Sequence, residues 1–270
     1  MSHGHDHHPG HSHGHAGHDH GHHAAHAPHA HHLRCEDLTL CHGKRPAVHH
    51  LNADLTCGSF VGVVGPNGAG KTTLINGILG WIPATSGRVT FSGEDVERCL
   101  SRLTYLPQRK VHDLDFPVTV EDVVAQGRCQ SRGWLRGFGD DDRRVIEQAI
   151  GEMGLGKLRD RPLSQLSGGQ QQRAFLARAI ATGADVVLLD EPLTGLDEPS
   201  ANDLLARLRA WAEGGRLVIA VIHDLAAVRR WCTHALLLNH DLIACGPVAE
   251  AMTEDNVARC YGRSPAGAAG

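Results

Sequence analysis

The sequence predicts an α/β protein, and three stretches carry that expectation. Phe60 to Val64 is a short apolar, β-branched run followed at once by Gly65-Pro66-Asn67-Gly68-Ala69-Gly70-Lys71-Thr72-Thr73. Val186 to Leu189 is a second such run and stops at Asp190-Glu191. Leu217 to Ile222 is a third and stops at His223-Asp224. Apolar runs of this length read as buried strands. Lys71 to Trp81 and Pro199 to Glu213 read as helices between them, the second with Leu204, Leu208 and Trp211 on one stripe.

The first stretch carries the chemistry. It reads G-x-x-x-x-G-K-T, the phosphate-binding loop pattern, between a strand and a helix start. Glycines let the backbone wrap an anion with N–H donors, and a helix N-terminus adds positive potential there. Lys71 is then expected to neutralise the β- and γ-phosphates, and Thr72 to place its hydroxyl on Mg²⁺. A hydrophobic strand ending in Asp predicts a second Mg²⁺ ligand, Asp190. Successive strand residues face opposite sides, which frees Glu191 to act on water as a general base. Leu166-Ser167-Gly168-Gly169-Gln170 runs into the helical Gln171 to Ala179 and forms a further polar turn on a helix N-terminus.

Composition bounds the classes. The 270 residues carry 26 Lys and Arg against 30 Asp and Glu, a net charge of −4, which predicts no nucleic-acid surface. No apolar stretch approaches the ~18–20 residues needed to span a bilayer. The opening is histidine-rich rather than apolar, so no signal peptide is expected. The eight cysteines are scattered without a C-x-x-C pair, which suits a reducing compartment and argues against a zinc finger.

Residues 1–32 are a different material: fifteen are histidine, among Gly, Ala, Asp, Ser and Pro. Nothing there can be buried to offset ordering entropy, so a disordered tail is expected. Imidazoles at this density bind Zn²⁺, Ni²⁺ or Cu²⁺. The candidate ligands are His3, His5, His7, His8, His11, His13, His15, His18, His20, His22 and His23. Purification tags are usually unbroken histidine runs, whereas this stretch is irregular and carries aspartate. His31, His32 and Cys35 are a candidate tighter site at the junction, with Cys35 as plain strand residue the alternative.

Residues 33–57 read as β structure, with Leu33, Cys35, Leu38, Leu40, Val48, Leu51 and Leu55 between turn residues such as Gly43 and Pro46. Gly87 to Phe91 reads as a strand ending at Ser92-Gly93, and Gln108 sits at a strand end after Tyr105-Leu106-Pro107. Residues 109–166 read as largely helical. Thr119 to Asp122 resembles a capping box, Gly127 is a plausible stop, Arg128 to Gly139 is loop-like, and Gly154 ends a second helix. Ala235 to Leu238 and Leu242 to Cys245 form a hairpin turning at Asn239-His240-Asp241.

Taken in order, the phosphate loop, Gln108, Leu166 to Gln170, Asp190-Glu191, Gly195-Leu196-Asp197 and His223 resemble the ATP-binding subunit of ABC transporters over nearly all of residues 33–262. Within that family the chain resembles the metal-ion importers serving zinc and manganese. The residues behind this are Tyr105 to Arg109, Asp115 to Val124, Gly127-Arg128, Leu236 to Asn239 and Tyr261-Gly262.

The resemblance implies a P-loop NTPase, RecA-like core with an antiparallel β subdomain and a helical signature subdomain at about 109–178. A histidine tail over 1–32 precedes this domain of 33–263, and 264–270 form a flexible end. It further implies an ATPase in which Gly65 to Thr73 bind ATP, Thr72, Gln108 and Asp190 complete the Mg²⁺ and water shell, Glu191 is the base and His223 contacts the γ-phosphate. Ser167, Gly168, Gly169 and Gln170 would cap the ATP of a second copy in a homodimer, with Asp197 at that interface. The implied partners are a membrane permease, faced by Arg109 to Thr119, and an extracytoplasmic metal-binding protein, which places the chain on the cytoplasmic side of the membrane.

His42 stands where the family usually stacks an aromatic on adenine, Gly195 replaces the more usual alanine, and the histidine tail is not part of the pattern. Zinc is expected ahead of manganese, because imidazole prefers borderline metals. The competing readings are a soluble ABC ATPase of DNA repair or translation, and a metal-storage protein. The first lacks the expected coiled-coil insertion or second ATPase domain, and the second leaves the ATPase set unused.

Overall fold

A computed structural model describes Met1 and residues 31–43, 45–107, 118–132 and 137–262, without the side chains of 42 and 130–132. In chain order the elements are β1 (His32–His42), β2 (Arg45–Thr56), β3 (Phe60–Val64), α1 (Lys71–Ile78), β4 (Ala84–Phe91), β5 (Glu94–Asp95) and β6 (Leu103–Leu106). Then come α2 (Val120–Arg132), α3 (Asp140–Glu152), α4 (Gly168–Ala181), β7 (Val186–Leu189), α5 (Glu198–Glu213) and β8 (Leu217–Val221). The chain closes with α6 (Leu225–Trp231), β9 (His234–Asn239), β10 (Asp241–Pro247), α7 (Val248–Ala251) and α8 (Glu254–Cys260).

The strands hydrogen-bond in the order β5-β4-β1-β2-β10-β9-β3-β8-β7-β6. One arm, β5-β4-β1-β2, is antiparallel. In the other, β9, β3, β8, β7 and β6 are parallel, and β10 folds back on β9 to meet β2 at Asp241 and His49. Strands covered on both faces need continuous apolar sequence, and β3, β7 and β8 are buried at every residue. Their C-terminal ends open onto the phosphate loop, Asp190-Glu191 and His223 respectively.

The antiparallel arm alternates instead. From Leu51 on, β2 buries Leu51, Ala53 and Leu55 and exposes the residues between. The odd spacing from Cys35 to Leu38 has a local cause: the ladder slips there, with Asp37 at φ 51° opposite a stretch where His50 sits at φ 42°.

A helical unit packs at one side. Val123 and Val124 of α2, Ile146 and Ile150 of α3, and Ala174 and Ala177 of α4 share one buried cluster. The α2 start is a reciprocal cap: Asp122 N–H donates to Thr119 Oγ1 at 3.2 Å, and Thr119 N–H to Asp122 Oδ2 at 2.9 Å. The α3 end is a Schellman turn at Gly154, with Leu155 N–H donating to Ile150 O and Gly154 N–H to Gly151 O, both at 2.9 Å. Inside the unit, Arg128 Nε–H donates to the fully buried Asp142 at 3.0 Å, and Arg128 also reaches Ala181 O at 3.1 Å.

Two expectations are corrected here. Gly127 does not stop α2, which continues to Arg132, so Arg128 to Arg132 are helical rather than loop. The glycine serves close approach: a Cβ there would sit 2.3 Å from Arg178 O of α4. The junction site of His31, His32 and Cys35 does not form either. His31 shares a 2.7 Å hydrogen bond with Ser92 Oγ, and His32 Nδ1–H donates to Asp54 at 2.6 Å. Cys35 is in the core, and burial pushes its thiol up to about 12.

Candidate functional site

The phosphate loop is held by backbone on both sides. A Cβ on Gly65 would meet Leu238 O of β9 at 1.9 Å, and one on Gly70 would meet Ala47 O of β2 at 2.3 Å. Gly70 also has φ 96°, so only glycine satisfies both the angle and the space. Asn67 and Gly68 are exposed at the tip, Pro66 and Thr73 are half-buried, and Ala69 is buried beneath them. The Lys71 ammonium donates to Gly65 O and Pro66 O, each at 2.8 Å. Burial draws its pKa down, against the pull of Glu191 and Asp190.

Asp190 follows β7, with 5 % of its surface exposed. Thr72 Oγ1–H donates to Asp190 Oδ2 at 3.0 Å, which joins the loop to the end of β7. Asp190 Oδ1 is buried and has no hydrogen-bond partner among the described residues. A buried carboxylate oxygen without a donor is destabilising unless a cation takes it. Burial raises the Asp190 pKa, the Thr72 hydroxyl opposes that, and neighbouring Glu191 adds to it. A hydroxyl and a carboxylate oxygen side by side are hard oxygen donors, the set that suits Mg²⁺.

Glu191, next in the chain, sits on a left-handed backbone, φ 49°. His223 Nε2–H donates to Glu191 Oε1 at 2.8 Å, and Thr194 Oγ1–H to Oε2 at 3.2 Å. The His223 bond holds the Glu191 carboxyl below the usual carboxylate range, against partial burial. The carboxylate is thus ionised near neutral pH, as a proton acceptor must be.

The structure therefore brings Gly65 to Thr73, Asp190, Glu191 and His223 into one cluster at the ends of β3, β7 and β8. Ser167, Gly168, Gly169 and Gln170 stand elsewhere, at the exposed start of α4. Gln170 N–H donates to Ser167 Oγ at 3.3 Å, and Ser167 N–H to Gln170 Oε1 at 3.1 Å, a reciprocal cap. A Cβ on Gly169 would lie 3.4 Å from Ser200, so the α4 start rests on the α5 start. Asp197 caps α5 by accepting Ser200 N–H at 3.0 Å, and these bonds lower its pKa. Among the described residues no hydrogen bond links Ser167–Gln170 to the phosphate loop. Gln108 and the tail histidines His3 to His23 lie outside the described residues, and His42 is described only by its backbone at the end of β1.

Sequence reading missed Thr194, whose hydroxyl orients Glu191, and the two carbonyls that wall the loop. The spacing of Thr194 three residues after Glu191 was available as a signal. Leu238 and Ala47 act through backbone atoms, which no residue type reveals.

A family model described as ABC transporter matches residues 48–194. The zinc transport system ATP-binding protein TroB of Treponema pallidum is 40% identical over 230 residues, covering 85% of this chain and 86% of that protein. The manganese transport system ATP-binding protein MntB of Halalkalibacterium halodurans is 37% identical over 229 residues, covering 85% and 91%. A solved structure assigned to the metal-chelate type of ABC transporter, in an inward-facing conformation, matches with a TM-score of 0.75 and 28% identity over 85% of this chain and 88% of that one. With a phosphate loop, a signature turn and an acid-ended strand placed as described, and with matches of this extent, the chain belongs to the ABC transporter family of ATP-binding proteins.

Proposed function

We propose that this chain is the ATP-hydrolysing subunit that drives a divalent metal ion, zinc first, inward through a membrane permease. The observation that carries the ATPase reading is the cluster of Lys71, Thr72 and Asp190 with one buried, unpartnered Asp190 oxygen beside Glu191 and His223. Thr72, Asp190 and Gln108 would hold Mg²⁺, which supplies charge neutralisation at the phosphate oxygens. Loop N–H groups from Gly65 to Thr73 and the Lys71 ammonium bind the phosphates, and His42 would be the residue that stacks on the adenine. Glu191 takes a proton from the water that attacks the γ-phosphorus as ADP leaves, and His223 contacts the γ-phosphate. Ser167, Gly168, Gly169 and Gln170 of one copy close over the nucleotide of the other, with Asp197 at the same interface. Closure follows because the γ-phosphate gains contacts from both copies only in the closed dimer.

The permease reading has support on the surface. A groove of about 530 Å³ runs between the sheet and the helical unit, lined by Leu79, Trp81, Leu100, Tyr105, Pro107 and Gln126. Trp81 and Leu100 are 64 % and 43 % exposed there, unusual for large apolar side chains. Among the described residues no helix is long and apolar enough to cross a membrane, which fits a peripheral subunit on the cytoplasmic face. An extracytoplasmic binding protein completes the system.

Zinc leads because the tail is imidazole-rich and imidazole prefers borderline metals. Manganese is the second reading, favoured by the manganese-system relative. The tail histidines His3 to His23 bind zinc and tune transport to the metal level. The test is whole-cell metal content during growth in depleted medium, with the host lacking this chain, or carrying it intact, as Lys71→Ala, or without residues 2–30. Selective loss of zinc, restored by the intact chain and not by Lys71→Ala, is the expected result. Loss of manganese instead moves the substrate, and no change in any metal removes the transport reading. The tail-less chain is expected to hydrolyse ATP normally while its transport no longer tracks the metal level.

A further inference from the structure

The turn between β9 and β10 bonds both the phosphate loop and β2. His240, at its centre, uses three polar groups. Its N–H donates to Ala69 O of the loop at 3.0 Å, its carbonyl accepts His49 N–H at 2.9 Å, and its Nδ1–H donates to Ala47 O at 3.3 Å. Ala47 O is the atom against which Gly70 is pressed, and Leu238 O, two residues before His240, is the one against which Gly65 is pressed. Leu238 O also accepts the buried Cys260 thiol at 3.5 Å, so α8 backs the hairpin from behind.

The geometry has a direct consequence for the anion cradle. Ala69 O and Gly70 N–H belong to one planar trans peptide and point opposite ways. Holding Ala69 O outward therefore turns Gly70 N–H inward. Three other loop carbonyls are taken within the loop and helix: Gly65 O and Pro66 O by Lys71, and Gly70 O by Leu74 N–H at 2.8 Å. Among the described residues Ala69 O is the loop carbonyl that a distant element bonds, and the glycine after it leaves that peptide the conformational freedom that the bond removes. His240 itself sits at φ 62°, where glycine or asparagine is the usual occupant. It is exposed and buries nothing in the core, so its ring matters through the bond to Ala47 O.

We propose that His240 is a positioning residue for nucleotide binding: it fixes the Ala69–Gly70 peptide so that Gly70 N–H faces the phosphates. This rests on the reading of Gly65 to Thr73 as the ATP site. Because a preset cradle serves bound ATP and the transition state alike, its loss weakens affinity and leaves the chemical step alone.

The experiment is ATP titration of the full chain, with thermal midpoints, for His240→Gly, His50→Gly and Lys71→Ala. His50 is the matched control, an exposed histidine at φ 42° whose ring bonds Asp37 at 2.7 Å, on the antiparallel arm. His240→Gly is expected to weaken ATP about threefold to tenfold, the worth of one hydrogen bond. His50→Gly is expected to stay within about twofold, with a similar midpoint. If His240→Gly binds ATP within about twofold of the unaltered chain while Lys71→Ala loses far more, the inference is overturned and the ATP site stands. If Lys71→Ala binds as well as the unaltered chain, the site reading falls and the proposal with it. Should His240→Gly not fold, His240→Asn, which tolerates the left-handed backbone, is judged by the same thresholds.

Discussion

Two helix starts in this molecule offer backbone N–H groups to an anion, and they are built in opposite ways. The start of α1 is shaped from outside: Leu238 O and Ala47 O press on its glycines, and Lys71 folds over its carbonyls. The start of α4 is shaped from inside, by the reciprocal cap of Ser167 and Gln170, and lies exposed with no cation in its first turn. The first is a whole cradle with charge and an acid partner. The second is a capped, neutral face. Equal local physics thus gives a charged cradle in one place and a capped neutral turn in the other, a difference that the proposed head-to-tail pair of copies would use.

The sharpest way to break this comparison is to remove chemistry from the α1 side alone. Glu191→Gln is expected to cut hydrolysis ~10²-fold or more while ATP still binds and an ATP-bound dimer accumulates. Steady-state turnover and size-exclusion with ATP read both effects. Near-normal turnover would remove Glu191 as the base.

Ser167→Ala tests the other side. It takes away the α4 cap, worth about 1 kcal/mol, and so lowers the thermal midpoint by a few degrees. ATP affinity of the isolated chain should hold, and turnover of the assembled transporter should fall. A drop in the isolated chain's ATP affinity would mean that the turn serves its own phosphate loop, and the contrast would be lost.

The smallest effect lies in the helical unit that carries α4. Arg159 holds Glu121 at 2.7 Å and lowers its pKa below the ordinary value, with burial opposing. A depressed folded pKa means that the unfolded chain binds the extra proton first as pH falls. The stabilisation is therefore complete above the ordinary Glu value of about 4.3 and is lost as pH drops through the lower folded value. Glu121→Gln should lower the midpoint slightly at neutral pH, and the gap should close in acid. A gap independent of pH would mean that the pair contributes packing alone.

Much of this was readable before any coordinates. Val186 to Leu189 and Leu217 to Val221 announce themselves because strands covered on both faces leave no room for a polar residue. Gly65 and Gly70 announce themselves because a carbonyl occupies the space of a side chain. The helical unit was less legible for the converse reason. Gly127 looks like a helix stop in sequence, and only the approach of Arg178 O shows that it is a packing glycine inside a longer helix. Arg128 looks like the start of a loop, yet it is helical and tied to the wholly buried Asp142. His31 and His32 look like the last of a ligand tract and are in fact occupied by Ser92 and Asp54. In each case the deciding partner is distant in sequence and of a type that local pattern does not specify.

The root of the histidine-rich segment also sets a rule for anyone who fuses or trims this protein. His31 O accepts Cys57 N–H at 2.8 Å, and His32 O accepts Ser92 N–H at 2.9 Å. A handle, a protease site or a fluorescent partner placed at or before residue 30 leaves both of these acceptors in place. Two residues further, the same cut strips the acceptors from the Cys57 and Ser92 N–H groups, just past the ends of β2 and β4, and a change meant for the tail becomes a change to the sheet.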